Sequence, residues 1–327
     1  MYICDECVGL CNSIVIDDEA ARAKARPAAP TLSALIAALE AQVVGQPVAV
    51  RALAAALFRH RQTMNLEQPR GPIRVQLVGP RGCGKSALVR ALCGAAGIPA
   101  YHADASRMSE TGYIGENVEN LIGALISRTD DVEAARRGIL VLDGLHHLVR
   151  QTPYPHARDI AGREVQRDLV RLLDGLEINA MPSARRHPQA MTVPVVCDRM
   201  MIVAAGAFHT RATDEVALRE ELCAAGLVDE TVARFDVIVP LRSLGAEDLA
   251  TILRRMLAPV QALVEPLGSS ITPADGVAWL AERAAGSSDG AFALLAPLSR
   301  LQERVLLEPA RRWTLDRALA EELMGVR

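Results

Sequence analysis

The chain has 327 residues and a formal net charge of −3, with half of its residues hydrophobic and 23% charged. This length and composition predict a globular protein of about two domains, and the lack of a broad basic excess argues against a nucleic-acid-binding surface. No apolar stretch approaches the roughly 20 residues that a bilayer span needs, and the N-terminus lacks a signal-peptide pattern. The sequence therefore predicts a cytoplasmic protein that does not contact a membrane.

Cysteines cluster in the first eleven residues, at positions 4, 7 and 11. Cys4 and Cys7 have the spacing of half a zinc knuckle, but a closed structural zinc site needs four ligands. Cys11 is either a third ligand or a buried thiol on a small amphipathic helix. The charged, alanine-rich and proline-containing residues 17–30 that follow have no core face, which predicts a linker.

Helices and strands are predicted to alternate from Thr31 to Leu244. Helical spacing is found over 31–39 and from about 47 to 64, and apolar runs predict strands around 73–78, 99–102, 139–142, 200–205 and 236–240. Such alternation predicts a parallel sheet covered by helices on both faces. After Leu244 the pattern is helical only, which predicts a small helical domain beside the sheet.

A glycine-rich loop follows the first predicted strand and opens into a helix. This order is the context of a phosphate-binding loop, in which backbone N–H groups and the helix N-terminus face phosphate oxygens. Lys85 is predicted to neutralise the β and γ phosphates and Ser86 to ligate magnesium; the alternative is a chance glycine-rich turn. The predicted nucleotide contacts in this loop are Gly79, Pro80, Arg81, Gly82, Cys83, Gly84, Lys85 and Ser86.

A second motif supports this interpretation but lacks one group. The apolar run 139–142 ends in Asp143, which fits the magnesium-supporting acid of a phosphate-loop enzyme. Hydrolysing relatives normally have a glutamate next, and a positioned base contributes a factor of about 100 to 10,000. Since Gly144 stands there, we expect binding without fast turnover, loss of binding in Lys85→Ala and faster hydrolysis in Gly144→Glu. Strand alternation would put His146 on the same side as residue 144, roughly 6.6 Å further along, as a candidate substitute base.

These motifs, in this order, resemble those of ClpX, the AAA+ unfoldase subunit of the Clp protease, over residues 1–16 and most of 42–260. Val43-Val44-Gly45-Gln46 is similar to the segment that contacts adenine. Gly112-Tyr113-Ile114-Gly115 resembles the first pore loop, and residues 158–166 resemble the second. Arg185, Arg186 and His187 resemble the basic loop at the channel entrance.

The resemblance implies an α/β AAA+ P-loop NTPase fold, with a parallel sheet flanked by helices and a small C-terminal helical domain. The implied segments are a partial zinc-binding segment at 1–16, a linker at 17–30, a nucleotide-binding domain at 31–243 and a helical lid domain at 244–327. It also implies ATP and Mg²⁺ as cofactors, with Val43 and Val44 in the ATP site.

The resemblance assigns roles to three further places. Tyr113 and Ile114 would grip a translocating polypeptide, and Arg185, Arg186 and His187 would contact it at the entrance. Arg234 aligns with the arginine finger that reaches a neighbouring subunit's nucleotide. The alternatives are a core tyrosine at 113, a solvated basic loop at 185–187 and a surface arginine at 234.

The chain departs from the family pattern at several places. Gly144 replaces the catalytic glutamate, His146 and His147 replace an Asp-Lys pair, and no arginine occurs in residues 290–295, where the family has a sensor arginine. Residues 208–227 lack the loop that docks the ClpP peptidase. The first cysteine pair of the zinc domain precedes the resembling segment in the family, so we expect in-frame codons upstream to encode it; Zn²⁺ would bind Cys4 and Cys7 only with that pair.

Two functions are compatible with these observations. The first is an ATP-dependent unfolding chaperone with impaired hydrolysis, acting on polypeptide clients as a homo-hexamer or in mixed rings with ClpX, without ClpP. The second is a nucleotide-binding pseudoenzyme that regulates such rings without hydrolysing ATP. A nucleic-acid-dependent ATPase is disfavoured, since aromatic residues make up only 3% of the chain and no basic stripe occurs.

Overall fold

A computed structural model describes residues 30–68, 70–108, 116–149, 157–181, 192–212 and 214–325, with the backbone alone at 157–161. Its main sheet has five parallel strands in the order β2-β3-β6-β1-β7. The strands of the main sheet are β1 Ile73–Gly79, β2 Ala100–Asp104, β3 Ile139–Asp143, β6 Met201–Ala207 and β7 Val237–Pro240, and a separate two-stranded sheet is formed by β4 Glu177–Ala180 and β5 Val193–Val196. All five predicted strands are confirmed, and the antiparallel pair β4-β5 was not predicted.

Helices cover both faces of the main sheet. They are α1 Leu32–Gln42, α2 Pro47–Thr63, α3 Lys85–Ala96, α4 Val118–Thr129, α5 Val132–Arg136, α6 Ala157–Leu173, α7 Glu215–Ala224 and α8 Asp229–Ala233. Successive strand residues point to opposite faces. Accordingly Ile139 and Val141 of β3 pack in one buried cluster with α1–α3, whereas Leu140 and Leu142 pack in another with α4 and α6. The predicted α/β fold class is confirmed.

The C-terminal region has its own buried cluster, formed by residues between Leu244 and Leu323. Its elements are α9 Ala246–Val264, β8 Ser270–Pro273, α10 Asp275–Ala285, α11 Leu295–Leu307, β9 Arg312–Leu315 and α12 Arg317–Met324. Strands β8 and β9 pair in parallel, so the prediction of helices alone after Leu244 is wrong. A strand of four residues places only two on each face, which is too few to produce a visible period of two.

Helix α6 changes the interpretation of residues 158–166. Val165 and Gln166 are buried in this helix rather than placed on a loop. Gln166 Nε2 donates to the Leu148 carbonyl at 3.0 Å, and Gln166 Oε1 accepts from the Val228 amide at 2.7 Å. This end of the proposed second pore loop is therefore part of the core packing.

In the described ranges, no helix has both the length and the apolar character needed to cross a bilayer.

Candidate functional site

The glycine-rich loop joins β1 to α3 at the carboxyl edge of the sheet. Gly82 and Gly84 have φ values of +65° and +104°, a left-handed backbone that favours glycine, and Gly84 is the N-cap of α3. Lys85 Nζ donates to the carbonyls of Gly79 and Pro80 at 2.8 and 2.6 Å. Burial lowers the pKa of Lys85 below its usual value. A bound anion would stabilise the charged form of Lys85 and so offset the cost of its burial. The loop therefore suits a phosphate group.

Ser86 and Asp143, predicted as the magnesium pair, lie in direct contact. Ser86 Oγ donates to Asp143 Oδ2 at 2.7 Å, and His102 Nε2 is 3.5 Å from the same oxygen. Burial disfavours the charge on Asp143, but the hydrogen bonds from His102 and Ser86 outweigh it and lower the pKa of the carboxyl. Hydroxyl and carboxylate oxygens fit Mg²⁺, which is usually held by one or two carboxylates together with substrate phosphates.

No cluster of three or more His, Cys, Asp or Glu side chains suited to a metal occurs among the described residues. A fully protein-made metal cage is therefore not found in this part of the chain. If Ser86 and Asp143 hold Mg²⁺, phosphate oxygens and water would have to supply its other ligands.

Gln46 fixes the position of the phosphate loop, a role that the sequence did not reveal. Its Nε2 donates to the carbonyls of Cys83 and Arg242 at 2.9 and 2.8 Å, and its Oε1 accepts from the Arg242 amide at 3.2 Å. The preceding Val43 is buried and Val44 is half-buried. This buried amide joins the segment resembling the adenine-binding one, the phosphate loop and the connection to α9.

Gly144 adopts a conformation that suits glycine rather than glutamate. Its φ is +83°, and a Cβ atom there would lie 3.0 Å from His147 Cδ2 and 3.5 Å from Asp104 Oδ1. Strand β3 ends at Asp143, and residues 145–148 form a 3₁₀ turn. The strand alternation that was expected to put His146 on the same side as residue 144 therefore does not extend to these residues. A left-handed non-glycine residue costs roughly 1–2 kcal/mol. The faster hydrolysis expected of Gly144→Glu therefore requires that the strain at residue 144 be relieved.

His146 is held to the end of β6 by a backbone hydrogen bond. The Ala207 amide donates to His146 Nδ1 at 3.1 Å. Burial, followed by the charges of His147 and Lys85, lowers the pKa of His146 to about 4, so the ring is neutral near pH 7. Because Nδ1 is the acceptor, the ring proton is on Nε2. The ring is thus a hydrogen-bond donor, which contradicts the interpretation of His146 as a substitute base.

A turn of the C-terminal region contacts the phosphate loop through its backbone. The Ala291 amide donates to the Gly82 carbonyl at 3.2 Å, and a Cβ on Gly82 would lie only 2.0 Å from the Asp289 carbonyl oxygen. Arg81 Nε lies 3.9 Å from Asp289 Oδ1. Phe292, in the segment where the family has its sensor arginine, is 53% exposed.

Arg300 does not replace the sensor arginine. Its Nη1 donates to the Leu323 carbonyl at 2.5 Å, which ties α11 to the end of α12. This hydrogen bond holds the Arg300 guanidinium within the C-terminal region.

Arg234 lies at the end of α8 and pairs with carboxylates of its own chain. Its Nε is 2.7 Å from Asp174 Oδ1, and its Nη2 is 3.4 Å from Glu230 Oε1. The side chain is about one-third exposed, so it is a surface arginine in the isolated chain. An arginine finger would have to leave Asp174 to reach a neighbour's nucleotide.

Other predicted site residues fall outside the described part of the chain. They are Cys4, Cys7, Tyr113, Ile114, Arg185, Arg186 and His187. Their zinc, pore and entrance roles stay predictions.

Comparison with known proteins gives one family and several relatives. The family model for AAA, the ATPase family associated with various cellular activities, matches residues 75–223. The ATP-dependent Clp protease ATP-binding subunit ClpX of Treponema denticola is 27% identical, over 94% of this chain and 84% of that protein. The subunit of the same name from Porphyromonas gingivalis strain ATCC 33277 is 28% identical, over 77% of this chain and 71% of that protein.

Proposed function

Because this chain is a ClpX-like AAA+ ATPase, we propose that it binds ATP with Mg²⁺ and remodels polypeptides, with slow hydrolysis. The observation that supports this best is the convergence of Lys85, Ser86 and Asp143 at one edge of the sheet. The family match implies the same two cofactors. When bound, Mg²⁺ would neutralise phosphate charge.

Different residues of this chain would bind the phosphates and the metal ion of ATP. The amides of the phosphate loop and the N-terminus of α3 would hold the phosphates, and Lys85 would exchange its carbonyl partners for phosphate oxygens. Ser86 and Asp143 would hold the metal, and Gln46 would keep the loop in register with the segment containing Val43 and Val44. Each of these groups acts on binding rather than on the attacking water.

Slow hydrolysis follows from the conformation at Gly144. The residue has no carboxylate, and its left-handed backbone and the neighbouring His147 ring leave little room for one. His146 offers a donor rather than a free basic nitrogen. Neither Gly144 nor His146 thus supplies a base for the attacking water, which supports slow hydrolysis.

A polypeptide client is supported by the names of the relatives and by the sequence of the pore loop. Both relatives are named as subunits of an ATP-dependent Clp protease. In a hexameric ring, the client would pass along Tyr113 and Ile114 of the pore loop and along Arg185, Arg186 and His187 at the entrance. We propose that ClpP is not a partner, since residues 208–227 lack the docking loop, and that the protein works in the cytoplasm.

ATP turnover in the presence of a polypeptide tests this function. The full chain is expected to bind ATP, to hydrolyse it slowly and to hydrolyse it faster when an unfolded polypeptide such as casein is added. Calorimetry would give the affinity and a coupled assay the turnover. Tight ATP binding with turnover that casein leaves unchanged would favour the second candidate, a pseudoenzyme that joins AAA+ rings, for which Gly144 is the supporting observation.

Arg234 provides a prediction for mixed rings. If the chain assembles with an intact ClpX, Arg234 would leave Asp174 and act on the neighbour's nucleotide, where such a finger contributes about 1,000-fold or more. We expect wild type to change the ATPase rate of ClpX in a titration and Arg234→Ala to act differently. Asp174→Ala, which removes the shorter of the two carboxylate contacts of Arg234 and leaves that with Glu230, serves as the matched variant. Failure to co-assemble in native mass spectrometry, or identical titrations for wild type and Arg234→Ala, would contradict a finger in this chain.

A further inference from the structure

Strand β6 ends between the two halves of the nucleotide site without a polar side chain. In the sheet, Gly79 of the phosphate loop pairs with Ala207, and Asp143 pairs with Ala205. Carboxyl ends of parallel strands share one edge, so the end of β6 lies between the phosphate loop and the magnesium acid. Residues 205–207 are Ala-Gly-Ala, and their side chains offer no hydrogen bond to a phosphate.

His146 is attached to this strand end. The hydrogen bond from the Ala207 amide to Nδ1 fixes the orientation of the ring, and Nε2–H has no hydrogen-bond partner among the residues that the structure describes. The Phe208 ring packs edge-on against it, with ring centroids 6.4 Å apart. The imidazole is also half-buried. Its packing and the hydrogen bond from Ala207 together restrict the motion of the Nε2–H group.

The ring lies within electrostatic reach of charged groups of the nucleotide site. Lys85 and Arg81 of the phosphate loop, together with Asp143, act electrostatically on His146. His147, with its ring centroid 4.1 Å away, is the other neighbour, but its side chain is exposed and its backbone amide is used by the Gly144 carbonyl. Of the two histidines, His146 is the one whose ring is hydrogen-bonded to the end of β6.

We propose that His146 is a γ-phosphate contact, donating from Nε2 to the terminal phosphate of a bound nucleoside triphosphate. This proposal deepens the proposed function and rests on it. A donor that reaches only the terminal phosphate favours the triphosphate over the diphosphate, because ADP has no partner for it. The chain would then distinguish ATP from ADP even though it hydrolyses ATP slowly.

A matched pair of asparagine variants tests the contact. In His146→Asn the amide oxygen occupies the position of Nδ1 and still accepts from Ala207, while the distal donor is lost. Affinities for ATPγS and for ADP are measured by calorimetry with Mg²⁺. A hydrogen bond to a charged group supports a loss of roughly 10- to 100-fold in ATPγS affinity, with ADP affinity unchanged within about twofold. His147→Asn is the control and is expected to leave both affinities unchanged.

The outcomes separate this contact from the function on which it rests. Equal losses for ATPγS and ADP, or no loss for either, would overturn the contact and leave ATP binding standing. A wild-type chain that binds neither nucleotide would overturn both. As a readout independent of binding, nitrogen-15 NMR of the imidazole is expected to show the proton of His146 on Nε2 at neutral pH; a proton on Nδ1 would contradict the proposal.

Discussion

Lys85→Ala is expected to weaken ATP binding by at least about 100-fold. The ammonium group would donate charge-assisted hydrogen bonds to two phosphates of the proposed nucleotide, each contributing roughly 1.5–3 kcal/mol. In the structure the same group is turned onto the carbonyls of Gly79 and Pro80, and burial lowers its pKa. The partly buried cation is therefore placed for an anion that compensates its desolvation, and alanine removes that attraction.

Equilibrium binding and thermal protection measure this effect. At ATP concentrations of about 100 times Kd, wild type is expected to gain roughly 2.7 kcal/mol of stability, whereas Lys85→Ala gains almost none at the same concentration. Arg90→Ala is the matched control, because Arg90 is an exposed cation on the same helix. ATP affinity within threefold of wild type in Lys85→Ala would show that the phosphates bind elsewhere.

Restoring glutamate at residue 144 is expected to accelerate hydrolysis by about 100-fold or more only when His147 is also shortened. Gly144→Glu alone places a side chain on a left-handed backbone and 3.0 Å from the His147 ring. We expect this single variant to lose about 1–3 kcal/mol of stability and to gain little turnover. Gly144→Glu with His147→Ala removes the crowding and lets the turn relax toward a conformation that aims the carboxylate at the water.

Gly71 provides the matched control for backbone strain. Its φ of +87° is close to that of Gly144, but a Cβ there would meet nothing within 4 Å. Gly71→Glu thus measures the cost of the left-handed backbone, and any additional destabilisation of Gly144→Glu measures the contact with His147. Turnover at saturating ATP is the second readout. A wild-type rate equal to that of an ordinary unfoldase, or a double variant no faster than wild type, would show that the glutamate is not what limits hydrolysis.

The limits of sequence reasoning are visible in particular elements. Strands β3 and β6 were predicted most directly, because parallel strands buried on both faces are continuous apolar runs. The pair β4-β5 was missed because each strand has four residues, and of these only Ile178, Ala180 and Val195 are fully buried. Residues 158–166 resemble a pore loop in sequence, but they lie in helix α6, and the burial of Val165 and Gln166 against distant segments is decided by tertiary packing.

The sequence alone determined the phosphate loop, the acid at 143 and the missing glutamate, because each depends on residues adjacent in the chain. Only the tertiary structure decided which residues, distant in the sequence, contact this site. Ala207 sets the tautomer of His146 from 61 positions away, and Gln46 binds the carbonyls of Cys83, 37 positions away, and Arg242, 196 positions away. The backbone of Gly144 likewise depends on where β3 ends and how the following turn packs. Such contacts depend on register between distant strands and loops, and no local period in the sequence records them.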